Sequence, residues 1–344
     1  MEYPEIHWLL ATAFLVGGLY FLAKSANLFI DSASAVATAL GIKPFIVGMV
    51  VIGFGTSAPE LCVSALSGFS GHSDVSLGNA YGSCSFNIAL ILGMAAMIRP
   101  ITVRSPAMMI VASMVLVLIS FFSCLLVGCG SGFSRADGLL ELGVFAVLLP
   151  LYCWFDQSVK GKEPGGDGAA SGARDGVPGK GNGGRKGLWK AWLLLVAGLA
   201  GLVGSSHVLV WGAVDIARAM GVSELLIGLT IIAAGTSLPE LASAVVSARK
   251  GEHEFVLGNI IGSNLFNTLA VVGLAGAISP FRNVSPFILT RDLPVMIALS
   301  ASLALFGVNW GDFRKPGEIG RRKGLVWLAV FMVYLAVMVW QECP

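Results

Sequence analysis

Charge is what this sequence has least of. Of its 344 residues, 12% are Asp, Glu, Lys or Arg and 56% are hydrophobic, with a mean hydropathy of +0.81; soluble globular chains carry about 25% charged residues. That deficit excludes a water-soluble fold. There are four histidines and six cysteines, and no CxxC pair among the latter. A zinc or redox centre is therefore not expected, and cysteines inside apolar segments read as small core filler. The N-terminus, Met1-Glu2-Tyr3-Pro4-Glu5-Ile6-His7, has no Lys or Arg and so lacks the basic region of a cleaved signal peptide. The first apolar segment is expected to stay in the mature chain. No basic stripe points to nucleic acid.

What the sequence has instead is long apolar runs. Residues 8–23, 108–127 and 325–339 approach the ~20 residues with which a helix crosses about 30 Å of hydrocarbon. Reading such runs between breakers predicts an all-α integral membrane protein with about ten transmembrane helices, near 8–40, 43–69, 74–98, 106–127, 137–156, 188–219, 222–249, 254–278, 287–308 and 324–341. The first and sixth exceed 30 residues, so they are expected to be strongly tilted or broken. If the N-terminus lies outside, inner loops hold 17 of the 22 Lys and Arg, outer loops hold Arg135, Arg218, Arg282 and Arg291, and Lys24 falls within the first helix. That bias puts both termini outside. Residues 157–187, rich in Gly and mixed charge, cannot build a core and read as a disordered cytoplasmic linker. They divide the chain into five-helix halves, 1–156 and 188–344.

The halves repeat each other at an offset of 180. GFGTSAPEL at 53–61 aligns with AAGTSLPEL at 233–241, and GNAYGSCSFN at 78–87 with GNIIGSNLFN at 258–267; from 41–106 against 221–286 there are 24 identities in 66 gapless positions. Five spans is an odd number, so the second half enters the bilayer from the opposite side. Inverted repeats of this kind recur in secondary transporters, whose substrate sites lie where interrupted helices of the two halves meet.

The repeated residues carry an ion-binding chemistry. Glu60 and Glu240 sit in apolar segments, where an unpaired carboxylate is costly and calls for cations or protons. Thr56 and Thr236 lie one helical turn before these acids, and Ser57 and Ser237 flank the same face. Pro59 and Pro239 interrupt the bonds to the carbonyls of Gly55 and Gly235 and so free backbone oxygen at membrane depth. In the next helix of each half, Ser83 with Asn87, and Ser263 with Asn267, add neutral oxygens one turn apart. Such an all-oxygen set suits Ca²⁺ and Na⁺ better than a soft transition metal.

These paired motifs resemble the two alpha-repeats of the cation/Ca²⁺ exchanger superfamily, and within it the prokaryotic sodium/calcium exchanger branch. The resemblance implies a four-site cluster on the second, third, seventh and eighth helices, opened to alternate sides as the first and sixth helices slide. It implies that Glu60 and Glu240 bind Ca²⁺ and share flanking Na⁺, with Thr56, Ser57, Ser83, Thr236, Ser237, Ser263 and the carbonyls of Gly53 and Ala233 completing the sites. Two positions depart from the pattern. Asn267 stands where some archaeal relatives have Asp, so the cluster holds two carboxylates; Cys84 stands where the second repeat has Asn264, which bears on helix contacts more than on ligation.

The expected function is secondary antiport of Ca²⁺ against Na⁺, with Ca²⁺/H⁺ antiport through the same glutamates as the alternative. Ca²⁺ and Na⁺ (or H⁺) are then substrates, no cofactor is implied, the chain is not an enzyme, and a monomer in a prokaryotic inner membrane is expected to suffice. An intramembrane hydrolase is disfavoured because Ser57 and Ser237 have no His at matching positions, and a channel by the inverted repeats. Blander readings make Asn87 and Asn267 interhelical clamps, keep Asp31 and Asp215 near helix ends, and pack His207 inside. Cys129 and Cys343 fall on the outer side without a pairing being expected.

Overall fold

The computed structural model describes residues 5–69, 73–128, 132–159, 184–221, 233–281, 284–313 and 315–342. Fourteen α-helical stretches organise the described chain. The first half holds α1 (Glu5–Leu40), α2 (Pro44–Thr56), α3 (Ala58–Phe69), α4 (Ser73–Phe86), α5 (Gly93–Ile98), α6 (Pro106–Gly128) and α7 (Arg135–Val159). The second holds α8 (Gly184–Ala219), α9 (Ala233–Thr236), α10 (Leu238–Lys250), α11 (His253–Leu265), α12 (Val272–Ile278), α13 (Leu293–Gly307) and α14 (Arg321–Glu342). Wider π-helical turns at Gly48–Ile52, Asn87–Leu92, Phe266–Val271 and Ile288–Asp292 lie within α2, join α4 to α5 and α11 to α12, and precede α13. Among the described residues eight helices are long and apolar enough to cross a bilayer, and the bent pair α2–α3 makes up to nine. The remaining expected span, 222–249, begins with residues 222–232, which lie outside the described residues.

Neither long helix is broken. α1 and α8 are each 36 residues without an internal proline, and they pack antiparallel along their length. Small residues make the close approach: a Cβ on Gly18 would meet the Leu209 backbone at 2.8 Å, one on Gly198 would meet the Phe29 backbone at 2.8 Å, and Ser25 faces Gly201. Lipid is as apolar as leucine, so contact of this kind, rather than the hydrophobic effect, holds membrane helices together. The linker boundaries also move: α7 runs through Val159 and α8 begins at Gly184. Residues 160–183 lie outside the described residues.

The contacts fix the direction of each helix. The end of α1 is beside the start of α8, because Phe29 packs on Gly198, and Lys250 at the end of α10 donates to Asp31 Oδ1 of α1 at 2.6 Å. Arg99, after α5, lies over Gly251, and Arg104 pairs with Glu254 at 3.4 Å. All of these belong to one face, the linker side. One element there was not expected, a two-stranded antiparallel pair of β1 (Ile101–Val103) with β2 (Gly317–Ile319). Pro100 ends α5 and leaves three extended residues whose backbone finds partners after α13. On the opposite side Phe133 bridges to Phe281, and Arg135 at the start of α7 donates to the Ile278 carbonyl at 3.4 Å. It follows that α3 runs toward the opposite side and α10 toward the linker side, as inverted halves require.

Several residues weighed in the sequence find their places here. Asp31 is paired to Lys250. His207 is exposed on α8 rather than packed. Asp215 is half-buried within α8, and Cys129 and Cys343 lie outside the described residues.

Candidate ion-binding site

Proline places both acids. Pro59 and Pro239 occupy the first turns of α3 and α10, and the residue two places before each one leaves helical geometry: Ser57 at φ −80° and ψ 3°, Ser237 at φ −91° and ψ 8°. Across the first break α2 and α3 are bent by 43°. Each helix restarts so that Glu60 or Glu240 falls in its first turn, where unpaired backbone N–H groups and the helix dipole favour negative charge. Sequence thus sets a carboxylate at the start of each restarted helix.

The two halves then exchange hydrogen bonds. Ser57 Oγ donates to Glu240 Oε1 at 3.2 Å, and Ser237 Oγ donates to Glu60 Oε1 at 3.1 Å. Thr56 and Thr236 hydroxyls stand beside the Glu240 and Glu60 carboxylates in the same crossed sense. Ser237 Oγ also reaches Ser83 Oγ at 3.4 Å, and Ser263 Oγ lies 3.4 Å from the Gly53 carbonyl. Both glutamates are fully buried. Among the described residues neither forms a salt bridge, and Glu60 Oε2 and Glu240 Oε2 have no hydrogen-bond partner. Asn87 Oδ1 and both amide atoms of Asn267 are likewise buried without partners. Burying two carboxylates without a cation costs several kcal/mol each, and four orphaned acceptor oxygens, one on each glutamate and one each on Asn87 and Asn267, offer coordination to a hard cation.

The structure brings the sequence-derived residues into this cluster unevenly. Glu60, Glu240, Thr56, Ser57, Ser83, Ser237 and Ser263 are joined by the contacts above. Asn87 and Asn267 begin or enter π-helical turns, a local widening frequent at functional sites. Asn87 Nδ2 donates to Asn264 Oδ1 at 3.0 Å, so Asn87 clamps one helix with its nitrogen and keeps its oxygen unpartnered. The Gly53 carbonyl accepts Ser57 N–H at 3.1 Å besides facing Ser263 Oγ. The carbonyl of Gly235 accepts Ser206 Oγ of α8 at 3.3 Å. Ala233 opens the single turn α9. Cys84 serves helix contact, with Sγ 3.7 Å from the Asn264 carbonyl and 3.6 Å from Thr268 Oγ1.

In the sequence Asn264 was named only as the counterpart of Cys84, and Asn259 and Glu141 were passed over. Asn264 spans the helices, donating to the Cys84 carbonyl at 3.2 Å while accepting from Asn87. Asn259 lies 3.2 Å from Thr56 Oγ1 and 3.4 Å from Ser263 Oγ; its recurrence with Asn79 in GNAYGS and GNIIGS was the available signal. Glu141 of α7 is a third buried acid, accepting from Ser123 Oγ at 2.7 Å, which in turn meets Tyr81 Oη at 2.7 Å. It belongs to no repeated motif, and its only signal was an acid within an apolar run.

Comparison with known proteins gives this geometry its family. The family model described as "Sodium/calcium exchanger protein" matches residues 10–154 and 190–340. The chain belongs to the sodium/calcium exchanger protein family. It is 39% identical to "Putative antiporter CaxA" of Alkalimonas amylolytica, over 95% of this chain and 98% of that protein. It is 37% identical to "Inner membrane protein YrbG" of Escherichia coli K12, over 96% and 98%. A solved structure of the sodium-calcium exchanger NCX_Mj, soaked with Na⁺ and Sr²⁺, superposes with a TM-score of 0.76 at 28% identity, over 95% and 98%. As a member of this exchanger family, the protein is a membrane cation/Ca²⁺ antiporter.

Proposed function

We propose that this exchanger moves Ca²⁺ out of the cell against Na⁺ entering down its gradient, by alternating access to the cluster around Glu60 and Glu240. The observation that carries the reading is the crossed pair of serine–glutamate bonds, which joins two buried carboxylates from opposite halves. Two carboxylates are neutralised by one Ca²⁺ or by two Na⁺, so either substrate relieves the same electrostatic cost and the two compete for one site. The orphaned oxygens of Glu60, Glu240, Asn87 and Asn267, with the hydroxyls of Thr56, Ser57, Ser83, Thr236, Ser237 and Ser263 and the carbonyls of Gly53 and Ala233, form the ligand set. Membership of a family of exchangers supports transport rather than catalysis as its chemistry.

The Lys and Arg bias places the linker side in the cytoplasm and both termini outside. The name of the Escherichia coli relative supports an inner membrane, and a monomer contains the whole site.

Uptake of radiolabelled Ca²⁺ into Na⁺-loaded proteoliposomes diluted into Na⁺-free buffer tests the reading. Uptake that requires internal Na⁺ and disappears in Glu60→Gln supports it. Uptake driven by a pH gradient without Na⁺ replaces it with Ca²⁺/H⁺ antiport, in which protons neutralise the same two carboxylates.

A further inference from the structure

The ion cluster uses two of the three fully buried glutamates among the described residues. The third, Glu141 on α7, lies outside both repeated motifs and outside the cluster. It is closely packed on one side by α12. A Cβ on Gly138 would meet Ala277 N at 2.5 Å, and one on Gly273 would meet the Gly138 carbonyl at 2.9 Å and Glu141 Cβ at 3.2 Å. On the other side stand two hydroxyls: Ser123 Oγ of α6 donates to Glu141 Oε1 at 2.7 Å, and Tyr81 Oη of α4 lies 2.7 Å from Ser123 Oγ. Ser123 and Tyr81 are buried as well.

No positive group offsets a charge at this position. Among the described residues Glu141 forms no salt bridge, and its Oε2 has no hydrogen-bond partner. The ionisable groups that face it are Asp137, one turn earlier on α7 and half-buried, and the Tyr81 hydroxyl. α6 adds Cys124 beside Ser123, and residues 266–278, packed along α7, contain no ionisable side chain. Arg135, at the start of α7, turns instead to the Ile278 carbonyl. An ionised Glu141 would thus be a buried charge among neutral and acidic neighbours. A protonated Glu141 leaves one O–H unmet, which is the smaller cost.

We propose that Glu141, with Ser123 and Tyr81, is a proton-binding site separate from the ion cluster, and that its proton is linked to cation binding in the cluster. The linkage rests on the ion-binding reading given above. The proton sits on Oε2 while Oε1 accepts from Ser123, so its release to solvent leaves the hydrogen bonds in place and changes only the charge. Both helices that touch the carboxyl also carry the cluster. Tyr81 is two residues before Ser83, and Gly273 is six residues after Asn267, about 9 Å along the helix. A negative charge there attracts cations to the cluster, and by reciprocity a bound cation favours loss of the proton. Glutamine has the same shape and hydrogen-bonding reach without the charge, which makes it the control.

The test is infrared difference spectroscopy on the full chain in lipid nanodiscs with saturating Ca²⁺, so that Glu60 and Glu240 are engaged by the cation. The spectrum of wild type minus Glu141→Gln at neutral pH is expected to show one protonated-carboxyl C=O band. Ser123→Ala should move that band to higher frequency, and alkaline buffer should remove it. Should Glu141→Gln fail to fold, the same shift in wild type minus Ser123→Ala assigns the band. In proteoliposomes, raising the pH from neutral to alkaline should strengthen apparent Ca²⁺ affinity about 5-fold more in wild type than in Glu141→Gln. Carboxylate bands without a protonated band at neutral pH overturn the proposal, as does a band unmoved by Ser123→Ala or an equal pH profile in the two proteins. If the band behaves as expected while wild type carries no Ca²⁺, the proton site stands and the substrate assignment falls.

Discussion

The same motif lives in two environments within this molecule. In the second half, the apolar window of the span His253–Ile278 is buried throughout, while in the first half the equivalent span Ser76–Ile98 is 67% buried. Gly258 and Gly262 touch the backbone of α2, and Cys84 faces Asn264 where strict repetition would set like against like. Yet the crossed serine–glutamate bonds are nearly identical, at 3.1 and 3.2 Å. The difference teaches that the acid cluster is the symmetric part and the helices flanking it are the part that carries a sidedness. A transporter needs both, because the ion must be held equally from each side and released to only one.

The comparison breaks most visibly at its symmetric centre. Glu60→Gln and Glu240→Gln should each lower Ca²⁺ flux by on the order of 100-fold, since removing one of two buried charges forfeits several kcal/mol of ion stabilisation. Equal loss in both, with monodisperse elution retained, is the expected outcome in a proteoliposome flux assay; normal flux in either variant would contradict a shared site. The asymmetric flank comes next. Gly262→Ala is expected to destabilise by about 1–3 kcal/mol through overpacking against Met49, and Gly82→Ala by less than about 0.5 kcal/mol. Thermal midpoints in detergent compare the two, and equal shifts would erase the asymmetry.

Ser57→Ala and Ser237→Ala sharpen the centre further. Each removes one donor to the opposite glutamate, a bond to a charged group worth about 1.5 kcal/mol or more, so each should weaken apparent Ca²⁺ affinity about tenfold with little change in thermal midpoint. Unequal effects would show that the two carboxylates do not share the ion evenly. The smallest effect belongs to the linker-side surface. Lys250→Ala removes the pair with Asp31, and because both partners are partly exposed the loss should stay below about 1 kcal/mol and fade in high salt.

Much of this was legible in the chain. Apolar length and scarce charge specify membrane helices with little ambiguity, and Pro59 and Pro239 mark the breaks because a missing N–H cannot be rescued locally. Glu60 and Glu240 stand out since an acid in an apolar run is rare without a purpose. Other features were hidden. Asn259 reads as an ordinary polar helix residue, because what distinguishes it is a partner 203 positions away. Glu141 lay outside the repeat and so outside the argument that found the site. The unbroken course of α1 and α8 depended on an antiparallel contact that length alone does not reveal, and the β1–β2 pair joins segments too short to carry a strand pattern.

The sequence by itself determined the class of protein, the likeness of its two motifs and the acids they carry, because hydropathy, a fixed offset of 180 and proline chemistry are local or countable. Only the tertiary structure decided which oxygens face each other and how closely α11 packs on α2. Those depend on how close two backbones come, and two copies of one motif can meet their neighbours at different distances while differing in only a few letters.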